Sequence, residues 1–558
     1  MNTTVDIPTK SDGSTYNILE ANRDQQAIIE KVLATVKNWV ERSSDYVPLR
    51  MTVSAGAGRG KSYLIHQLTS AIRKMFRRND VVLTTAFTGS AAFNIGGKTC
   101  HSSFGISPSN PNSPMTETTR QRLIKELRHL VAIFIDERSM LTSSILGAAE
   151  RNVALTCHGG GKQQLDWGGV PIVIVWGDDY QLPPVNISGK GKGAFYCLDH
   201  PNRPTVRRRC VELDGMLQFQ TFSKTVYILS KHQRADDDEF ISLQDRIRIG
   251  SPNKKDIETI LSLNIHRLTM DERAHVETDK GTIHIFATRK QCAEYNLNNI
   301  YKQQSEANPV AMIKNKLSKS SKKSDSDLNC IPKTTILCRG AKVCIRGKNF
   351  NPQLGLFNGS IGTVIEIVYK PGQSPNKGQF PHYVIVDFPS YTGPSYDSRH
   401  PKWIPIPTIT TYKPSQIYCP LQLSYARTIH TFQGYQAGPM QNIKRIVCDA
   451  GTAKHEALFP GLFYTALSRA TTIGSAVDRS KSAIFFMNIT GDRLERLTSN
   501  SQNQKYNLIQ KRDNWTNYLN KGVFTNEATD NDSMIEKITR LAALSYDDDN
   551  LDSATSNY

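Results

Sequence analysis

Short apolar runs recur along the chain, and several are followed by stretches with helical spacing. The runs 50–54, 80–86, 131–135, 171–176, 225–229, 282–287, 443–448 and 483–487 are of strand length and predict buried strands. Helical patterns stand at 61–77, 289–304 and 461–470. Strand–helix alternation predicts an α/β fold with parallel sheets covered by helices. Eight strands split by a long middle stretch predict two such lobes rather than one sheet.

Two stretches break the rhythm. Residues 305–334 are rich in Ser, Lys and Asn, lack apolar periodicity, and predict a mobile insertion. In 340–418, Val343, Ile345, Val364, Ile367, Val384 and Val386 alternate with turn residues such as Asn358-Gly359 and Pro371-Gly372, which predicts a small β-rich module. The expected division is a tail 1–18, a first lobe 19–224, a second lobe 225–339 with 419–495, the module 340–418, and an extension 496–558. That extension carries a short helical pattern near 533–545 and an acidic end at Asp547-Asp548-Asp549, and it is expected to be disordered beyond the pattern.

Between a strand pattern and a helix pattern lies Gly56-Ala57-Gly58-Arg59-Gly60-Lys61-Ser62. Glycines let backbone N–H groups converge on phosphate oxygens at a helix N-terminus. Lys61 can add a point charge at the β and γ phosphates, and the Ser62 hydroxyl can ligate Mg²⁺. The run predicts nucleoside triphosphate binding, although Ala55 stands where the full pattern has its first glycine. A second cue follows the run Val131-Ala132-Ile133-Phe134-Ile135, which ends in Asp136-Glu137. Two carboxylates at a buried strand end are expensive unless they meet a cation or a reacting water. Asp136 is the candidate to hold Mg²⁺ through water, and Glu137 to deprotonate the attacking water. A third strand pattern runs into Gly177-Asp178-Asp179-Tyr180-Gln181-Leu182-Pro183-Pro184-Val185, where Gln181 could sense the γ-phosphate.

Charge supplies the partner class. Lys and Arg number 69 against 51 Asp and Glu, a net charge of +18, with basic clusters at Arg73-Lys74, Arg77-Arg78, Arg207-Arg208-Arg209 and 314–323. A polyanion is the natural partner. The ten cysteines include no C-x-x-C pair, so a zinc site lacks support, and reduced, mostly buried thiols of an intracellular protein are expected. No apolar run has the length of a membrane span, and the first residues lack a secretory signal's apolar core.

Taken in order, these motifs resemble those of the petite-integration-frequency (Pif-one) DNA helicases, in the RecD-like branch of superfamily one. Asp136-Glu137-Arg138-Ser139-Met140 is similar to the family's D-E-x-S-M, and the Gly177 run to its G-D-x-x-Q-L-P-P-V. Leu229-Ser230-Lys231-His232-Gln233-Arg234 resembles its arginine motif, and Phe357-Asn358-Gly359-Ser360-Ile361-Gly362-Thr363-Val364 its N-G-x-x-G-x-V. Tyr425 to Gly434 and Tyr464 to Ala470 resemble its last two motifs. The resemblance implies two RecA-like lobes of the P-loop NTPase class, with ATP between them. It also implies a small wedge insertion about 103–128, a barrel-like module within 340–418, and 5′-to-3′ translocation on single-stranded DNA with unwinding at duplex junctions.

It implies roles residue by residue as well. Gln25 would read the adenine edge. Arg234 and Arg469, expected from the second lobe, would act as arginine fingers, worth about 10³–10⁵ in rate where such groups have been measured. Thr88, His101, Ser102, His430 and Gln433 would contact the DNA strand, and Phe104 would either stack on a base or pack in the core. Five departures from the family pattern stand out: Ala55, Arg138 at an apolar position, Ala235, Thr431-Phe432 at a Lys-Ser type pair, and Gln436. A nucleic-acid-binding ATPase switch without unwinding, and an RNA-directed translocase, are the alternatives.

Overall fold

The apolar runs of the N-terminal half become strands of one sheet. They are β1 (Leu49–Ala55), β2 (Val82–Ala86), β3 (Lys98–Thr99), β4 (Ala132–Asp136), β5 (Ile172–Gly177) and β6 (Val226–Leu229). The order is β3-β2-β4-β5-β1-β6, and every pairing is parallel. All five residues of β4 and all six of β5 are buried. Such continuous apolar runs suit parallel strands covered on both faces.

The computed structural model describes residues 5–10, 12–108, 110–159, 165–184, 210–231, 238–317, 331–373, 379–412, 415–475, 478–498, 508–523, 531–546 and 551. The chain divides into two compact units. One is Met1–Ile249 with Ala457–Gly461 and Asn500–Tyr558; the other is Gly250–Glu456 with Leu462–Ser499. Arg234, the 207–209 and 318–330 basic stretches and Asp547-Asp548-Asp549 lie outside the described residues.

Three expectations change. The second lobe does not open at 225: β6 is the edge strand of the first sheet, hydrogen-bonded to β1 from Thr52↔Val226 to Ala55↔Leu229. The C-terminal extension, from Asn500 on, also belongs to the first unit. Its helix Asn531–Ala542 buries Met534 and Ile538 in the core that holds Ile28, Val32 and Trp39 of helix Arg23–Val40, and Tyr546 stacks on Phe76 at 5.2 Å. Finally, the polar stretch 305–334 is partly regular, since β8 below lies within it.

The second unit contributes, in chain order, β7 (Thr282–Phe286), β8 (Ala311–Lys314), β9 (Thr334–Leu337), β10 (Lys342–Ile345), β11 (Ile361–Val368), β12 (Tyr383–Asp387) and β13 (Trp403–Pro407). Then follow β14 (Ile409–Tyr412), β15 (Ser415–Tyr418), β16 (Leu421–Leu423), β17 (Ala426–Thr428), β18 (Arg445–Asp449) and β19 (Ile484–Phe486). A parallel sheet β17-β7-β18-β19 forms the α/β part. The β-rich module is an antiparallel sheet β13-β12-β11-β10-β16, and β8 and β9 form an antiparallel pair. Val343, Val364, Val384, Val386 and Phe388 make the module's core. Among the described residues no helix is long and apolar enough to cross a membrane, and seven cysteines there are buried free thiols.

Candidate functional site

Parallel strands deliver their following loops to one edge, and ligands of open α/β sheets bind in the crevice outside the strands' carboxyl ends. The first sheet puts nearly every candidate of the first unit on that edge. Glycines 56–60 follow β1, Thr88 follows β2, His101 and Ser102 follow β3, Glu137 follows β4, and Gln181 follows β5. Asp136 is the last residue of β4, in register with Ala86 of β2, which pairs with Thr99 of β3. Strands lie about 4.8 Å apart, so β4 and β1 are separated by about 10 Å and β3 lies about 10 Å to the other side of β4. Phosphate-loop and carboxylate candidates thus cluster on β1, β4 and β5, with the strand-contact candidates flanking them on β2 and β3.

The glycine-rich turn has the geometry its glycines permit. Gly58 and Gly60 take left-handed φ values of 73° and 80°. Gly60 caps helix Lys61–Phe76 with no side-chain hydrogen bond, so the first N–H groups of that helix are not satisfied by a capping side chain. The Lys61 ammonium lies on the carbonyls of Ala55 at 3.1 Å and Gly56 at 3.4 Å, folded over the loop it would share with phosphates. Arg59 points elsewhere. Its guanidinium binds both oxygens of Asp245 at 2.6 Å and the Ser230 carbonyl at 2.6 Å, so it braces the loop against helix Asp238–Arg248. Ala57 and Gly56 complete the turn.

Asp136 is buried, and its Oδ1 accepts the Glu137 N–H at 2.8 Å. Glu137 itself sits at φ 59°, ψ 46°, a left-handed conformation that a residue with a Cβ adopts at a cost. Such strain persists only where surrounding contacts over-determine it. The Ser62 hydroxyl and the Asp136 carboxylate are the hard oxygen donors that Mg²⁺ prefers. Gln25 is fully buried. Its Oε1 accepts the Asn22 N–H at 3.1 Å in a capping box, while its Nε2 has no partner among the described residues.

Sequence reasoning missed how the Gln181 loop is held. The Asp178 carbonyl accepts the Gln181 N–H at 3.0 Å, and the Asp178 carboxylate takes Arg248 Nε at 3.0 Å and Nη2 at 2.9 Å. Asp179 forms a buried ion pair with Arg138, Nη2 to Oδ2 at 2.5 Å. Arg138, a departure from the resembled pattern, thus has its counterpart in the next motif. No local signal links residues 41 positions apart.

The strand-contact candidates divide. Thr88 caps helix Gly89–Asn94 by accepting the Ala91 N–H at 3.2 Å. Burial holds the His101 imidazole below its ordinary value, hence neutral at pH 7, and its ring meets Phe87 edge-on at 5.9 Å. Ser102 is exposed. Phe104, by contrast, is 1% exposed and packs edge-on against Trp167 at 6.3 Å, so it is a core residue and not a base-stacking one. Gln433 is 1% exposed, which withdraws its side chain from a surface grip. His430 is pushed down to about 4 by burial and then by Arg289. Arg469 is buried in the second unit at the end of helix Leu462–Leu467, its Nη2 on the Ser468 hydroxyl at 2.9 Å and its Nε on the Thr465 carbonyl at 3.2 Å.

The chain is similar to known helicases. The family model for PIF1-like helicase matches residues 20–257. The ATP-dependent DNA helicase Pif1 of Bdellovibrio bacteriovorus is 27% identical over 423 residues, 75% of this chain and 81% of that protein. The ATP-dependent DNA helicase RRM3 of Saccharomyces cerevisiae is 28% identical over 321 residues, 56% of this chain but only 40% of that protein. Among solved structures, Pif1 helicase from Bacteroides in complex with ADP-AlF3 and ssDNA shares the fold, with a TM-score of 0.55 and 21% identity, covering 88% of this chain and 97% of that one.

Proposed function

We propose that the chain is a PIF1-like, ATP-dependent DNA helicase, and that its hydrolytic groups act together at the carboxyl edge of the first sheet. The N–H groups around Gly58, Gly60 and the helix start bind the triphosphate, and Lys61 leaves the Ala55 and Gly56 carbonyls for its β and γ oxygens. Ser62 and Asp136 are the residues to hold Mg²⁺, which supplies charge neutralisation at those oxygens. Glu137 accepts the proton of the attacking water as its oxygen bonds the γ-phosphorus and the bond to the departing diphosphate breaks. Gln181 holds the γ-phosphoryl group or that water by hydrogen bond. Gln25 donates its Nε2–H to the base. Arg234 and Arg469 carry the arginine-finger roles that the family resemblance implies.

Thr88, His101 and Ser102 grip the phosphates of single-stranded DNA without reading sequence. The stretch 103–128 is the candidate wedge, with translocation 5′ to 3′. The observation that carries this assignment is the shared edge: an uncapped glycine turn after β1, with the paired carboxylates after β4 two strands away.

The test is strand displacement on duplexes with a 5′ or a 3′ single-stranded tail, with ATP and Mg²⁺. Unwinding of the 5′-tailed duplex alone is expected, together with loss of ATPase in Lys61→Ala. Retained ATPase in that variant rejects the site, and equal unwinding from both tails rejects the polarity. Displacement of RNA but not DNA rejects the substrate.

A further inference from the structure

The C-terminal helix Leu508–Asn520 lies far outside the phosphate-binding motifs in sequence, yet it reaches one of their loops. Its position in the first unit is fixed at several points. Trp515 packs on the cluster that holds Trp167 and Phe222, Leu519 is buried, and the Gly522 carbonyl accepts the Val226 N–H of β6 at 2.9 Å. A Cβ at Gly522 would lie 2.1 Å from the Ser223 carbonyl oxygen, so the chain passes there at backbone contact. From this anchored helix the buried Arg512 guanidinium reaches 4.6 Å from the centroid of the Tyr180 ring. Arg248 approaches the same ring at 4.4 Å while its edge nitrogens hold Asp178.

Tyr180 is the residue before Gln181. Its N–H is bound by Asp178 Oδ1 at 3.2 Å, and the Gln181 N–H by the Asp178 carbonyl at 3.0 Å. Residues 178–181 therefore form one tight turn, and a shift of the Tyr180 ring moves the Gln181 backbone with it. Two guanidinium groups on one ring repel each other unless the ring's face and nearby carboxylates offset the charge. Asp178 does this for Arg248, and Asp513, 3.2 Å from Arg512, does it for the second cation.

We propose that Arg512 is a positioning residue for ATP hydrolysis: through the Tyr180 ring it holds the turn that presents Gln181. The C-terminal helix is then a working part of the hydrolytic centre. The proposal rests on the assignment of Gln181 to the γ-phosphoryl group.

Steady-state ATPase with saturating single-stranded DNA tests it, on the full chain. Arg512→Met keeps the stem and removes the cation. It should lower kcat by about tenfold while KM for ATP stays within about twofold. Arg512→Lys should recover most of the loss. Tyr180→Phe, which keeps the ring, should be near the parent, and Tyr180→Leu should match Arg512→Met. The double variant Tyr180→Leu/Arg512→Met should be no worse than either single one, since both remove one contact. Unchanged kcat in Arg512→Met, or losses that multiply in the double variant, overturns the proposal. Gln181→Ala separates the two assignments. A large kcat loss there with none in Arg512→Met rejects the positioning role alone, whereas full activity in Gln181→Ala rejects the premise.

Discussion

Removing the carboxylate of Asp179 isolates a cation in the protein interior. Arg138 and Asp179 have side chains only 1% and 3% exposed, joined by Nη2–Oδ2 at 2.5 Å and Nε–Oδ1 at 3.2 Å. The guanidinium cannot simply swing out. A Cβ on Gly177 would sit 2.8 Å from the Arg138 backbone nitrogen and Cβ, so the backbone beneath it is packed against β5. Arg138 Nη1 is also buried with no partner among the described residues, so no second acceptor is at hand. At a charge separation of about 4 Å and an effective dielectric constant near 20, the lost attraction is about 4 kcal/mol. Breaking a buried pair from one side costs about 3–5 kcal/mol where it has been measured, which agrees.

Asp179→Ala should therefore lower the first thermal transition by about 10 °C, followed by circular dichroism or scanning calorimetry. The two units need not melt together, so the transition of the first unit is the one to follow. Replacing both charges, as in Arg138→Met/Asp179→Leu, should recover most of that loss, because apolar pairs of similar volume replace buried ion pairs without penalty. A single variant within about 1 kcal/mol of the parent, or a double variant as unstable as the single, would refute the reasoning.

Three further outcomes are expected. Burial pushes His284 down to about 3, with its ring stacked on Tyr295 at 4.2 Å, so the unfolded chain takes up the proton first; stability is whole above pH 6.5 and falls as pH drops toward 3. His284→Gln should flatten urea-measured stability between pH 6 and 4 by about 1.4 kcal/mol per unit, and an unchanged slope would exclude His284 as the cause. Gly461 has φ +87°, and a Cβ there would lie 2.0 Å from the Tyr180 carbonyl oxygen, so Gly461→Ala should reduce ATPase kcat well beyond any change in DNA affinity. With about six phosphates neutralised, anisotropy titrations on single-stranded DNA should give a log K against log salt slope near −4, and a slope near zero would exclude a phosphate grip.

What was legible in the sequence was contiguous. The eight expected strands are all present, with ends displaced by a residue or two, because burial and strand length leave a local trace. β3 and β17, two and three residues long, are too short to leave one. The run at 225–229 was readable as a strand but not as an edge of the first sheet, since apolar pattern carries no information on partners. Ala311–Lys314 was hidden because only two of its four residues are buried. The same limit applies to chemistry. The glycine turn and the Asp136-Glu137 pair declared themselves through adjacent residues. The contacts of Arg138, Arg248 and Arg512 with the Gln181 loop join distant positions, and only the fold reveals them.

Departures from a motif become informative once partners are known. Thr431-Phe432 stands where the resembled pattern carries a Lys-Ser type pair. Phe432 is fully buried and stacks on Tyr435 at 5.4 Å, and the Thr431 hydroxyl donates to the Thr428 carbonyl at 3.0 Å. Both side chains are thus committed to local packing. Tyr435 in turn donates to the Gly359 carbonyl at 2.7 Å, which also accepts from buried Arg427 at 2.9 Å. Gly359 sits at φ +114°, open to glycine and strained for any other residue. The Asn358-Gly359 turn of the β-rich module and the segment 426–435 therefore form one polar and aromatic corner, reinforced where β16 pairs with β10. A lysine at 431 would offer a cation to a phosphate. This chain places there a short hydroxyl bound to its own turn, and uses the following position to make the corner rigid. Within the second unit, then, segment 426–435 ties the module to β17, and the side chains of Gln433 and Phe432 are buried in that corner.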